Sequence, residues 1–170
     1  MSAIPFPDLP DHSLLWVFAS PRPLDGAEAG ALLTRVDRFI DSWLAHGREV
    51  RGGRELRYDR FLLVAADEAA TGVSGCSIDS LFHTLQQLER EMGIRLLDSS
   101  AVWFRAEDGE IRHSARAEFR ERVRAGTVDE DTVVFDNTVR SVGQLREGRW
   151  ETPARASWHA QAFRMAGWGL

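Results

Sequence analysis

One continuous apolar stripe most constrains what this chain can fold into. Asp25 and Glu28 precede it with the spacing of a helix-capping box, and Gly47 follows it as a helix stop. The pattern therefore predicts an amphipathic helix from about residue 25 to residue 47. Its apolar positions recur at intervals of three and four: Leu32, Leu33, Val36, Phe39, Ile40, Trp43 and Leu44.

The flanking segments predict the order strand, helix, strand, strand, helix, strand. The two middle strands are predicted to form a hairpin around a Gly52-Gly53 turn. This order is typical of the ferredoxin-like split βαβ (βαββαβ) fold, an α+β fold in which one antiparallel sheet carries two helices on one face. The predicted elements lie at residues 14–19, 25–47, 49–51, 55–66, 78–92 and 101–105.

A chain of 170 residues is long enough for one domain with an elaborated tail. We predict a single domain over residues 1–170. It divides into an irregular lead-in (1–13), an α+β core (14–112) and a C-terminal elaboration (113–170) that packs on the core. The tail holds several tryptophans, Trp150, Trp158 and Trp168 among them, which we expect to cover an exposed part of the core.

All 21 basic residues are arginine, and the net charge is −5. Without lysine the chain can form neither a Gly-x4-Gly-Lys-Ser/Thr phosphate loop nor a Schiff base. The acidic balance argues against broad nucleic-acid binding by charge. A cluster of arginines in the predicted hairpin nevertheless leaves nucleic-acid binding as a hypothesis. The alternative interpretation is a solvent-exposed sheet edge that its charges protect from aggregation. The clustered arginines are Arg48, Arg51, Arg54, Arg57 and Arg60.

A single cysteine, Cys76, excludes an internal disulfide framework and a multi-thiolate zinc site. A zinc site built from Cys76, His46 and a carboxylate is the remaining alternative, but it lacks a local ligand pair of recognised spacing. We predict no metal and no cofactor. Residues 1–10 carry no basic residue, and the apolar run at 14–19 is too short for a signal sequence or a membrane span. These features predict a soluble cytoplasmic protein without a membrane partner.

The polar segment 74–80 lies at the junction between a predicted strand and the predicted helix that follows it. In a split βαβ fold this segment would meet residues 45–47 and 67–68 at one end of the sheet. Cys76 is then the candidate nucleophile, His46 its base and Asp67 the orienting carboxylate. The candidate ligand-binding residues are Arg60, Glu68, Ser74, Gly75, Ser77, Asp79 and His159.

These candidates also have structural interpretations. Ser77 can cap the second helix, and His46 can complement the dipole of the first. Cys76 can be a small buried apolar side chain, although a helix start lowers the pKa of a thiol. His83, at i+7 from Cys76, lies about 10 Å away along a helix, which is too far for a direct pair.

Several motifs together resemble a family of small bacterial proteins of unknown function that are frequently labelled "ABC transporter ATPase". The resemblance covers nearly the whole chain, and it implies no established catalytic residues. The missing phosphate loop excludes ATP hydrolysis by the mechanism that the label suggests. The motifs are Trp43-x-x-His46-Gly47, Tyr58-Asp59-Arg60-Phe61, Asp67-Glu68, the block 74–80, Phe135-Asp136-Asn137 and Ser157-Trp158-His159.

The sequence thus predicts a protein that binds a small polar ligand in a pocket at the loop end of the sheet. It leaves open whether a reaction centred on Cys76, of a hydrolase or transferase kind, takes place there. The alternative is a non-catalytic module for protein interaction or homodimerisation.

Overall fold

The computed structural model describes residues 3–67 and 75–165, and over these residues the protein is a mixed α+β structure with antiparallel sheets. It divides into two compact units: residues Met1–Asp98 with Arg140–Gly143, and residues Ser99–Val139 with Gln144–Leu170. The prediction of a single domain stays a prediction. The described α-helices are α1 (Gly26–Asp41), α2 (Gly75–Met92), α3 (Arg116–Ala125), α4 (Val142–Arg146) and α5 (Trp158–Ala162).

Nine strands are described. They are β1 (Leu14–Ala19), β2 (Leu44–Ala45), β3 (Arg48–Glu49), β4 (Gly52–Arg57), β5 (Phe61–Ala66), β6 (Val102–Arg105), β7 (Ile111–Ser114), β8 (Val133–Phe135) and β9 (Glu151–Pro153). The first unit holds an antiparallel sheet in the order β1-β5-β4 and the small β2-β3 hairpin, and the second unit holds a sheet in the order β7-β6-β8-β9.

The start of α1 is as predicted, and its end is earlier. The Asp25 side chain accepts the Glu28 backbone N–H, and the Glu28 side chain accepts that of Asp25. The helix ends at Asp41, because residues 44–49 form a tight β2-β3 hairpin instead of continuing the helix. Both turn residues, His46 (φ 51°) and Gly47 (φ 75°), have the positive φ of a type I′ turn.

Gly52 and Gly53 lie inside β4, so the predicted turn at these residues is wrong. A Cβ atom at Gly53 would lie 2.5 Å from the carbonyl oxygen of Ile4, which explains the need for glycine. The β4-β5 turn falls instead at Tyr58 and Asp59, both at positive φ. Gly53 thus allows close packing of the lead-in, and Gly52 allows close packing of Trp43, whose ring atoms would lie 3.3 Å from a Cβ atom there; neither glycine reverses the chain.

The predicted ferredoxin-like sheet is not confirmed. The segment expected as its fourth strand, β6, pairs with β7 and β8 in the sheet of the second unit. The free edge of β1 is bridged by Ser141, and the Leu15 backbone N–H donates to the Arg140 carbonyl. That edge is therefore already occupied by residues from late in the chain.

Each unit has its own apolar core. In the first, α1 and α2 contribute Leu32, Val36, Leu81 and Leu85, all fully buried. In the second, Phe119 of α3 packs edge-on against Phe104 and Phe163. Trp150 is buried within the second unit, and Trp168 lies outside the described residues.

Candidate functional site

Asp67 follows β5 directly and is one of the few buried acidic groups. It is 7% exposed, and its backbone N–H donates to the Arg51 carbonyl at 2.8 Å. Its Oδ1 lies 2.8 Å from Nε2 of His12, an exposed histidine of the lead-in. The histidine that pairs with Asp67 is therefore His12. His46 makes no side-chain hydrogen bond or ion pair in the part of the chain that the structure describes.

His46 is exposed in the β2-β3 turn, not in the last turn of a helix as the sequence suggested. Cys76 is exposed in the first turn of α2, where its carbonyl accepts a hydrogen bond from the Ser80 hydroxyl at 2.9 Å. The expectation of a buried apolar cysteine is thus not met. Glu68 and Ser74 lie outside the described residues.

Ser77 lies inside α2 and is buried. Its carbonyl accepts the indole N–H of Trp43 at 2.9 Å. Because Trp43 follows the end of α1, this bond joins the end of α1 to the beginning of α2. Gly75 is the first residue of α2, and a Cβ atom there would meet open space, so close approach does not require this glycine.

Two other predicted site residues are Arg60 of the first unit and His159 of the second. Arg60 precedes β5 and Asp67 follows it, so they sit at opposite ends of the strand, roughly 20 Å apart. The Arg60 guanidinium donates to the Pro21 carbonyl at 3.1 Å. His159 belongs to the second unit and is buried there.

His159 is held among aromatic rings. Its ring stacks on Trp158 at 3.9 Å, and its Nδ1 lies 2.7 Å from the Ser157 hydroxyl. Burial lowers its pKa to about 4, against the opposing attraction of Asp136 and with a smaller contribution from Arg116. The neutral imidazole is therefore the form that this packing favours.

The first unit carries an open groove of about 620 Å³ between the end of α1 and the first turns of α2. We call it the α1-α2 groove. Its apolar lining is Phe39, Trp43 and Leu44, and its polar lining is Ser42, Asp79, Ser80, His83 and Thr84. Asp79, one of the predicted ligand-binding residues, lines this groove.

The apolar wall of this groove is rigid at its base. Trp43 is 1% exposed, is fixed by its bond to Ser77, and packs against Phe39 with ring centroids 4.9 Å apart. Leu44, by contrast, is 54% exposed and forms the open rim. Such a combination offers an incoming molecule a preformed apolar surface without rearrangement of the core.

The hydroxyl groups of the groove present acceptors. Ser42, Ser80 and Thr84 each donate their hydroxyl proton to a helix carbonyl three or four residues earlier. What these oxygens offer the groove is therefore lone pairs. The carboxylate of Asp79 adds a negative charge, and no arginine is among the described residues that line the groove.

The arginines of the β4 hairpin are partly neutralised. Arg54 makes two hydrogen bonds of 2.8 Å to Asp37, which raise the pKa of its guanidinium. Arg57 pairs with Glu55 at 2.9 Å. Two of the five arginines that suggested a basic face are thus paired with acidic side chains of the same unit.

Within residues 3–67 and 75–165, no group of three or more His, Cys, Asp or Glu side chains could hold a metal ion. No helix of the same residues is long and apolar enough to cross a membrane. No protein-family model, curated protein or solved structure matches the chain. Any functional conclusion therefore rests on geometry.

The sequence reasoning missed most of this groove and the pairing of Asp67 with His12. A usable signal existed for the groove: Asp79 and His83 are spaced i, i+4 and so share one face of α2. The signal for His12 was weaker, because it depends on Leu14 pairing with Ala66 across the sheet.

Proposed function

We propose that the protein binds a small polar ligand in the α1-α2 groove, and that the ligand is a cation with N–H donors and an apolar part. The observation that carries this proposal is that three hydroxyls and one carboxylate of the groove present acceptors, while the imidazole of His83 is the lining side chain that carries an N–H donor beside the Trp43 indole, whose N–H is bonded to Ser77. Ser42, Ser80 and Thr84 offer acceptor lone pairs, and Asp79 offers a carboxylate. An ammonium or amidinium group complements all of these, whereas a carboxylate or phosphate does not.

The size of the groove supports a small molecule. About 620 Å³ falls within the range of roughly 300–1,000 Å³ that is usual for ligand pockets. The apolar part of the ligand would lie against Leu44 and Phe39, whose ring packs on the buried Trp43. Burial of that part supplies affinity, while the polar lining selects the charge.

The test is a titration with benzylamine, followed by NMR of the Trp43 indole N–H. Benzylamine should shift this signal saturably, and phenylacetate, which reverses the charge, should bind at least about fivefold more weakly. Asp79→Asn should weaken benzylamine binding by about five- to tenfold, because a charge-assisted hydrogen bond becomes neutral. Asp8→Asn removes the same charge from an exposed site of the same unit and should change affinity by less than about twofold.

Two outcomes would contradict the proposal. Equal binding of benzylamine and phenylacetate would show that acceptor character does not govern the groove. An Asp79→Asn variant that binds benzylamine as tightly as the wild type would show that the charge of Asp79 does not contribute to binding.

A second candidate is cysteine-dependent hydrolase or transferase chemistry, favoured by the exposure of Cys76 and by the pairing of Asp67 with His12. In this reading Asp67 orients the imidazole of His12, and His12 replaces His46 as the base. Iodoacetamide at neutral pH tests it: Cys76 should react faster than a model thiol, and His12→Gln should slow the reaction. A slow reaction that His12→Gln leaves unchanged would exclude this chemistry.

The interaction and nucleic-acid readings remain predictions. Exposed Leu44, Tyr58 and Phe82 are the large apolar side chains that a homodimer or partner surface could use. The pairing of Arg54 and Arg57 with acidic neighbours makes the nucleic-acid reading the weaker of the two.

A further inference from the structure

The second unit contains a concave site lined by arginine. A cavity of about 530 Å³ lies between α3 and the residues that follow α5. Its lining is Arg120, Val123, Arg124, Ala162, Phe163 and Arg164. No acidic side chain of the described residues lines it, in contrast to the acceptor-rich α1-α2 groove of the first unit.

Two of these arginines have no acidic partner within the described part of the chain. Arg124 pairs with Glu121 at 2.5 Å, whereas neither Arg120 nor Arg164 forms an ion pair there. Among residues 3–67 and 75–165, the site therefore holds close to two positive charges without an acidic partner. Guanidinium groups brought together without counter-charges repel one another, so an anion that binds between them relieves a real cost.

Arg120 is held in place by the aromatic core. Its guanidinium lies over the ring of Phe163, 5.9 Å from the centroid, and Phe163 is 4% exposed. A cation over a fixed ring keeps its N–H groups free at its edge for hydrogen bonding. The side chain is thus oriented before any ligand arrives.

Arg164 occupies a backbone position that usually takes glycine. Its φ is +50°, and it directly follows Phe163, the C-terminal cap of α5. Glycine or asparagine is the usual residue at a left-handed position after a helix, because a larger side chain costs free energy there. An arginine at this position places a third guanidinium in the cavity.

We propose that this cavity binds the phosphate of a small phosphomonoester. Such a group carries a charge of about −1.5 to −2 at neutral pH and three acceptor oxygens, which matches the two unbalanced guanidiniums. The planar fork of arginine matches phosphate oxygens in pairs. Val123 and Ala162 provide an apolar surface for the organic part of the ligand. This site does not depend on the function proposed for the α1-α2 groove.

The probe is phenyl phosphate, titrated into the full-length protein by isothermal calorimetry at pH 7.5 and low salt. Saturable binding is expected, and methyl phenyl phosphate, a monoanion of similar shape, should bind about tenfold more weakly. Benzoate should also bind more weakly than phenyl phosphate, because its one carboxylate can pair with only one guanidinium group at a time. Equal affinity for all three anions, or no saturable binding of phenyl phosphate, would overturn the proposal.

Two variants test the residues. Arg120→Gln and Arg164→Gly should each weaken phenyl phosphate binding by at least about tenfold, the usual effect of losing a hydrogen bond between charged groups. Arg164→Gly also distinguishes binding from folding, because glycine accepts a positive φ without strain and the fold should be kept.

The matched control is Arg149→Gln, which removes an exposed arginine of the same unit that pairs with Glu147. It should change affinity by less than about twofold. An equal loss in Arg149→Gln and Arg120→Gln would mean attraction by overall charge only, and would refute a built site. An Arg164→Gly variant that folds and binds as the wild type does would refute the role of that residue.

Discussion

At the scale of single residues, His159 shows how packing sets chemistry. Its imidazole is 1% exposed, it stacks on Trp158, and it meets the edge of Phe119 at 6.2 Å. Burial is the largest influence and lowers the pKa to about 4; Asp136 opposes it by favouring protonation, and Arg116 adds to it. The residue that looked like a ligand-binding candidate is, within its own unit, a neutral member of the core.

The lowered pKa of His159 predicts a loss of stability in acid. The unfolded chain binds a proton near the ordinary pKa of about 6.5, while the folded chain does so only near 4. The stabilising contribution is complete above pH 6.5 and is lost as the pH falls toward 4, by about 2 kcal/mol between pH 7 and pH 5.

Urea unfolding at pH 7 and pH 5 measures this difference. His159→Gln should lower stability at pH 7, because the ring packing is lost, and should be less sensitive to acid than the wild type by about 2 kcal/mol. His113→Gln removes an exposed histidine of the same unit and should keep the acid-sensitive component. The same acid sensitivity in His159→Gln as in the wild type would show that His159 is not its source.

At the scale of elements, α1 shows which features a sequence reveals. Its start was predictable because a capping box is a contact between residues three apart. Its end was not, because Trp43 leaves the helix to bond Ser77 of α2, a contact across 34 positions of sequence. Gly47 looked like a helix stop, but its positive φ serves the β2-β3 turn. Local signals therefore fixed one end of the element, and tertiary contacts fixed the other.

The capping box predicts an asymmetry between the two ends of α1. Asp25→Ala removes the acceptor for the Glu28 backbone N–H, a bond of 2.8 Å, and should cost about 1 kcal/mol in the free energy of unfolding. Asp41→Ala makes the same change at the other end, where a negative charge opposes the helix dipole, and should be neutral or slightly stabilising. Urea denaturation of both variants at pH 7 tests this, and equal losses at the two ends would contradict it.

At the scale of the whole molecule, the order of elements was predictable and their assembly was not. Apolar runs and helical spacing placed β1, the start of α1, the end of β5 and most of α2 close to their observed positions, because those patterns reflect which face of each element is buried; the predicted strand 55–66 wrongly joined part of β4 to β5. The partner of β6 was missed, because strand pairing depends on segments far apart in sequence. The candidate site followed the same rule: Asp79 was found on α2, whereas His12 and the rim at Leu44 were not.

The clearest consequence at this scale is that the first unit is completed by residues 140–143. The Gly143 backbone N–H donates to the Asp11 carbonyl at 2.8 Å, and a Cβ atom at Gly143 would lie 3.0 Å from the same oxygen. Gly143→Val should therefore cost about 1–3 kcal/mol by overpacking. The amide of Leu15, bonded to Arg140, should exchange its hydrogen faster in this variant, while the exchange rate of the Ala106 amide in the β6-β7 hairpin should not change.

Gly30→Val, where a Cβ meets open space, is the matched control and should change stability by less than about 0.5 kcal/mol. If Gly143→Val leaves the protection of Leu15 intact, the segment that bridges β1 is dispensable to the first unit.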